Sequence, residues 1–270
     1  MLKKLLLLFL LVNVVITAQA QTLSDTSTVK QDEAAADDPS QFFTRAELFN
    51  ETQHHEHGAA DFYLNVTTLR TVVKIGKRFT TRLDVPFAYN SLSTAAGYSQ
   101  FGLSDISFRV LGFKFLQSKK SAVTASVEIS LNTAQSPLLG TGKNIILPVV
   151  SYTTALREKR TFLAFVFQEA ISFSGDETRQ DISFSKLQGV LINIWTKQMW
   201  TVLAPELYID YIHGGASMNL EGRIAYAPTQ RVNLWTQLGA GLFGDYIARY
   251  QWSAQVGGRY FFLRQARRDN

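Results

Sequence analysis

Histidine is the natural place to look for chemistry, since imidazole both ligates transition metals and activates hydroxyl nucleophiles. Three of the four histidines, His54, His55 and His57, stand with Glu56 in "HHEHG". That donor set suits a divalent transition metal, but it falls in "ETQHHEHGAA", which reads as a solvated outer loop with no preorganised geometry, so neither a metal nor any other cofactor is expected. The fourth, His213, lies four residues before Ser217 in "HGGAS". A base and a hydroxyl could form a nucleophilic pair. The intervening glycines make this a tight turn with polar residues, so no catalytic residue is expected and the chain reads as a non-enzyme. With no cysteine in the chain, thiolate chemistry and disulfides are excluded.

A larger set of reactive groups shares a face instead of a loop. Arg45, Glu47, Arg82, Asp84, Glu128, Glu206, Asp210, Glu221, Arg223, Arg249 and Arg259 each alternate with apolar neighbours. Period-two alternation is the signature of strands, in which successive side chains point to opposite faces. In "AVTASVEISLN", Val123, Ala125, Val127, Ile129 and Leu131 oppose Thr124, Ser126, Glu128, Ser130 and Asn132. The spacing predicts about twelve strands, over 42–50, 61–73, 78–89, 103–115, 121–133, 144–156, 161–173, 182–194, 199–212, 217–227, 231–243 and 248–262. Many exceed the five or six residues usual in soluble sheets and match the roughly 9 to 11 that cross a bilayer at a tilt. Two strands break the pattern: 103–115 and 161–173 carry apolar residues on both faces. Glu169 falls on the apolar face, which a bulge near Gln168 or a register one residue different would correct.

The connections alternate in kind. One set, including "NSLSTAAGYSQFG", "NTAQSPLLGTGK" and "SGDETRQD", is mostly long. The other, "KIGKR", "QSKK", "REKR", "TKQ" and "PTQR", is short and basic. Long outer loops, short periplasmic turns and an even strand number belong to a transmembrane, antiparallel, up-and-down β-barrel, an all-β fold whose closure leaves no unpaired edge in lipid. Two aromatic girdles are expected on its outside: Trp195, Trp200, Trp235, Tyr260 and Phe262 near the periplasmic end, and Tyr89, Tyr211, Tyr246 and Tyr250 near the outer end. The charged set would then line the lumen. Twelve strands lie between barrels filled by side chains near eight and open channels near sixteen. A charge-bordered aqueous passage is the expectation, and a charge-filled interior its alternative.

The N-terminus agrees with that destination. Lys3, Lys4, an apolar run and "AQA" make residues 1–20 a secretory signal peptide cleaved after Ala20. Residues 21–40 are acidic, nearly without large apolar groups, and read as a flexible periplasmic lead-in, with a loosely held plug as the alternative; the barrel occupies 41–262 and residues 263–270 form a short periplasmic tail. The formal charge of +5 is scattered along the chain, so no nucleic-acid partner is expected. The expected partners are outer-membrane lipid, the barrel-assembly machinery and a small-molecule solute.

Two resemblances add to this reading. "FGLSDISFRVLGFKF", through Gly102, Leu103, Asp105 and Phe115 with Ser104 in place of a more usual Gly, and the preceding "LDVPFAYN", resembles the outer-membrane transporter family associated with the MetA pathway of phenol degradation. The resemblance implies a barrel that takes up small, hydrophobic or aromatic molecules, and carries no catalytic residues. The alternatives are a lipid-modifying outer-membrane enzyme, although His213 and Ser217 depart from the His-x-Ser spacing of lipid-hydrolysing barrels, and a non-conducting structural or adhesion barrel. Secondly, the last strand places Tyr250, Trp252, Ala254, Val256, Gly258, Tyr260 and Phe262 on the lipid face. Within it, Gln255, Gly257, Tyr260 and Phe262 resemble the C-terminal assembly signal of outer-membrane proteins, although "LRQARRDN" follows where such strands normally end.

Overall fold

A computed structural model describes residues 37–57, 60–92, 98–118, 120–157, 160–244 and 250–262. The expected signal peptide, most of the expected lead-in and the expected tail lie outside the described residues, as do Arg249 and Tyr246.

Thirteen strands follow in chain order: β1 (Arg45–His57), β2 (Ala60–Ile75), β3 (Phe79–Leu92), β4 (Tyr98–Leu103), β5 (Ser107–Gln117), β6 (Ser121–Ser130), β7 (Lys143–Arg157), β8 (Thr161–Gly175), β9 (Ser183–Ile194), β10 (Met199–Asp210), β11 (Ala216–Thr229), β12 (Val232–Phe243) and β13 (Trp252–Phe261). Every neighbouring pair is antiparallel, and β1 joins β13 as well as β2, which closes the sheet. Both β4 and β5 pair with β3, at its outer and inner ends, so they are two parts of one interrupted stave and the barrel has twelve.

Alternation decides which side chains meet lipid. Along β13 the exposed Trp252, Val256 and Tyr260 alternate with buried Ser253, Gln255 and Arg259. Along β10, Met199 and Leu203 point out while Val202, Ala204, Glu206 and Tyr208 point in. The outer surface carries Leu48, Phe87, Phe101, Phe165, Leu191 and Leu238, all exposed, whereas Glu47, Asp84, Glu128, Glu206 and Arg259 are buried. This is the inverse of a soluble protein and the pattern a bilayer selects. The lumen is not uniformly polar: Ala164, Val190, Ile192, Trp200, Val202, Ala225, Ala227 and Trp235 form an apolar cluster on the inner wall of β8 to β12.

Several sequence expectations need correction. The "HHEHG" segment is not a loop, because β1 runs to His57 and the first outer connection is short. The strand expected over 103–115 is broken at 104–106, and β5 has register shifts at Arg109/Leu111 and Lys114/Leu116. Those shifts leave Val110 with Leu111, and Phe115 with Leu116, exposed as consecutive pairs, which accounts for apolar residues on both faces of the pattern. No bulge occurs at Gln168: β8 pairs with β9 without interruption from Thr161 to Ile171. Glu169 therefore keeps the outward parity of Phe167 and Ile171, and its carboxylate accepts a hydrogen bond from Ser185 at 2.5 Å. Of the expected girdle, Trp195, Tyr260, Phe262, Tyr89 and Tyr211 are exposed, but Trp200, Trp235 and Tyr250 are buried in the interior. For Trp200 and Trp235 strand parity, not height, decided the side; Tyr250 shares the parity of the exposed Trp252 but precedes β13 and turns inward to donate to Glu221.

Candidate functional site in the barrel lumen

The inward charges form a belt along adjacent strands. Glu47 on β1 is opposite Arg259 on β13 and Arg70 on β2, and Arg70 is opposite Asp84 on β3. Register thus brings unlike charges side by side on one face. Arg259 Nε lies 3.1 Å from Glu47 Oε1, and Arg45 Nε donates to the same oxygen at 2.5 Å. Arg70 grips Asp84 with two parallel hydrogen bonds, 2.8 and 2.9 Å. Arg82 continues the belt with Nε 3.2 Å from Asp84 and Nη2 donating to Glu128 at 2.6 Å; Arg109 closes it on Glu128 at 2.7 Å. On the far wall, Glu206 accepts from Lys186, from Gln188 at 2.7 Å and from Tyr208 at 2.8 Å, while Glu221 accepts from Gln237 at 2.8 Å and Tyr250 at 3.0 Å.

The periplasmic mouth is crossed by residues 37–44, which precede β1 and lie inside the barrel. Asp37 Oδ1 accepts from Arg223 Nη1 at 2.9 Å and from Arg259 Nη1 and Nη2 at 3.3 and 3.2 Å; its Oδ2 accepts from Trp200 Nε1 at 2.6 Å. Burial pushes the Asp37 carboxyl up, but Arg259 and Arg223, aided by Trp200, hold it below the usual carboxylate range. The Asp38 side chain caps the following turn by accepting from Ser40 N at 2.8 Å. Phe42 is buried beneath the Lys114 ammonium, 5.3 Å from its ring centroid, and Phe43 meets Phe261 edge-on. The two guanidiniums that hold Asp37 also stack on Trp235, at 5.4 Å for Arg223 and 5.0 Å for Arg259. A Cβ at Gly257 would overlap that indole, so this glycine makes room for the Trp235 ring against the wall. Cavities of about 380 and 180 Å³ flank Asp37, the larger against the charged belt and the smaller against Val166, Val190, Val202 and Ala204.

The outer half is built differently. Where the β4–β5 stave is interrupted, the segment 131–142 between β6 and β7 docks against it. Asp105 Oδ1 accepts from the backbone N–H of Thr133 and Ala134 at 3.1 and 3.2 Å, and its Oδ2 from Thr141 N at 2.6 Å and Thr141 Oγ1 at 2.9 Å. Gln135 N donates to Leu103 O at 3.0 Å, and Asn90 reaches Leu138 O from β3 at 2.9 Å, which draws the segment inward. Arg179, in the connection after β8, donates to Pro137 O and Gly140 O.

The candidate residues from the sequence do not converge on one spot. Arg45, Glu47, Arg82, Asp84, Glu128 and Arg259 sit in the belt; Arg223 meets Arg259 at Asp37, and Glu206 and Glu221 form a separate group on β10 and β11. Asp210 is at the outer end of β10, where its carboxylate meets His213 Nδ1 at 2.6 Å, and His213 Nε2 lies 2.8 Å from Gln180 Oε1. Both ring nitrogens of His213 are therefore engaged in rim contacts. Strand alternation separates the first two histidines: His54 stacks on Tyr63 at 4.7 Å and approaches Trp252 at 5.8 Å, while His55 stacks on Phe62 at 4.8 Å. Sequence reasoning missed Arg70, Arg109 and Lys186, although each joins an ion pair of the lumen; only Arg109 lies in a strand with register shifts. It also missed Asp37, whose place in an acidic, apolar-poor segment disguised it as solvated chain.

No family model matches the chain, and no curated protein is similar to it in sequence. Solved structures do share its fold. An outer membrane channel from Pseudomonas putida F1 aligns over 82% of this chain and 96% of its own, with a TM-score of 0.68 and 15% identity. The NanC porin aligns over 81% of this chain and 100% of its own, with a TM-score of 0.56 and 10% identity. The translocator domain of the autotransporter NalP from Neisseria meningitidis aligns over 86% and 94%, with a TM-score of 0.54 and 9% identity. At such identities the likeness is one of fold: an outer-membrane-type β-barrel.

Proposed function

We propose that this chain is a bacterial outer-membrane channel for small solutes. The observation that carries the reading is the lumen: a closed barrel with an apolar exterior whose interior, among the described residues, holds cavities of about 380 and 180 Å³ beside the strap at one mouth. A barrel stabilised by packing alone would fill that space with side chains. A strap held across one mouth by Asp37 suits selective passage of small molecules better than a wide pore. Three further features support the destination and role: the leader over residues 1–20, the fold shared with the P. putida channel and NanC, and the resemblance at Gly102, Leu103 and Asp105 to the phenol-pathway transporters, from which hydrophobic or aromatic cargo follows. The same reading makes outer-membrane lipid and the barrel-assembly machinery its partners.

Planar-bilayer recording tests it. Purified protein with heat-modifiable gel mobility is expected to give small, discrete conductance steps, and correctly folded barrels that never conduct overturn the channel reading.

A further inference from the structure

The Asp37 carboxylate occupies a site better equipped than a tether needs. Two guanidiniums from different strands converge on it, both stacked on Trp235, and an indole N–H completes the set of donors. The Arg259 side chain is 5% exposed, so its charge is desolvated and held in place. Around the larger cavity, five arginines (Arg45, Arg70, Arg109, Arg223 and Arg259) face two wall carboxylates, Glu47 and Glu51; the remaining negative charges, Asp37 and Asp38, come from the strap. With the strap in place the lining has a net charge of +1, and without it +3. Beside the carboxylate lies the smaller cavity, which has Val166, Val190, Val202 and Ala204 on its apolar side and Gln188, Glu221 and Gln237 on its polar side. A cationic clamp next to an apolar wall fits one kind of molecule: a carboxylate attached to an apolar body.

We propose that the Arg223–Arg259–Trp200 clamp is a binding site for small organic carboxylates with an apolar body, and that Asp37 is a tethered occupant which such a solute displaces in order to pass. The proposal deepens the channel reading by naming its solute class. A solute carboxylate would accept the hydrogen bonds that Asp37 now accepts, with its body against Val190 and Val202. A strap released into the periplasm would leave the larger cavity more positive, which draws further anions in. Neutral isosteres leave the buried Arg259 guanidinium and the partly exposed Arg223 one without a counter-charge and are excluded on the same grounds.

The probe is hexanoate, with hexanamide as its neutral isostere. In the full-length barrel, Asp37→Asn keeps the shape and removes the competing charge. Its hexanoate affinity, followed by tryptophan fluorescence, is expected to rise about tenfold over the natural protein. Hexanamide should not bind, and adding Arg223→Gln should abolish the gain. In bilayers, Asp37→Asn should conduct more, with a reversal potential shifted toward anions and hexanoate blocking the current. A folded Asp37→Asn barrel that binds hexanoate no tighter than the natural protein, or binds hexanamide equally, overturns the site. Should that variant not fold, the natural protein decides: hexanoate must shift tryptophan emission saturably where hexanamide does not, and no shift overturns the site. Conduction without carboxylate preference removes the site and leaves the channel; hexanoate binding without conduction in any variant removes the channel and leaves the site.

Discussion

Asp37 is where charge, burial and chain entry meet, and its ionisation sets the conditions under which the strap stays docked. Taken alone, burial would favour the neutral acid, but Arg259 and Arg223 outweigh it and the carboxyl is depressed below its ordinary 3.8. A group whose pKa falls on docking contributes stability that is complete above the undocked value and is lost as the pH drops through the docked one. Strap docking should therefore be unchanged from pH 7 to 5 and weaken only below about 3.8. Trp200, whose N–H binds Asp37, supplies the readout: emission of the natural protein should be flat across that upper range and change only in stronger acid, while Asp37→Asn should show no acid step. A transition near pH 6 would mean that another group holds the strap. Since acid release lies so low, displacement by a competing anion is the accessible way to empty the clamp at neutral pH.

The interrupted stave is the element with the most consequence, because a continuous strand there would have paired with an extended β6 and left segment 131–142 outside. Instead, Asp105 takes up four donors from that segment and fixes it over the break. Asp105→Ala removes all four acceptor interactions and should free the segment without opening the sheet, since β3 still pairs with both β4 and β5. The expected outcome is protease cleavage within 131–142 that the natural protein resists, larger conductance steps, and unchanged heat-modifiable mobility. Loss of the folded band instead would show that the segment is part of the barrel's closure. The strands themselves were legible to within a few residues at most ends, because a lipid-facing side and a lumen side impose period two on every stave. Their exceptions were not. The bulges in β5 shift parity with no proline to mark them, and the one glycine nearby, Gly112, follows only the first. The run from Gln53 to His57 is polar and looked like loop, yet β1 needs no apolar inner face, and His54 finds aromatic neighbours only once β2 and β13 flank it. The clamp was illegible for a different reason: Asp37 bonds to Trp200 and Arg259 across 163 and 222 residues, a pairing no local pattern records.

At the scale of the whole molecule, the decisive step is joining the first strand to the last. The β1–β13 ladder carries no local turn and closes a loop of nearly the entire barrel, so it pays its entropy late and depends on the last strand being delivered in register. That register is also what places Arg259 against Glu47 and Asp37, so a slip of one residue would turn the clamp toward lipid and Tyr260 into the lumen. Gln255, Gly257, Tyr260 and Phe262 are the residues expected to be read by the assembly machinery, and two of them already have structural work: Gln255 accepts from Trp235 at 2.8 Å, and Gly257 gives that indole its space. Phe262 is the discriminating position. Its ring is exposed, edge-on to Tyr260 at 5.3 Å, and its N–H donates to Thr44 O at 3.1 Å, a bond that substitution of the side chain leaves in place. Phe262→Ala should therefore leave a refolded barrel nearly as stable in detergent while lowering the amount of heat-modifiable protein in outer membranes severalfold in cells. Removing residues 263–270 should leave both quantities unchanged. Equal losses in vitro and in cells for Phe262→Ala would assign the aromatic to packing of the closing strand, and a loss on removing 263–270 would move the assembly signal beyond Phe262.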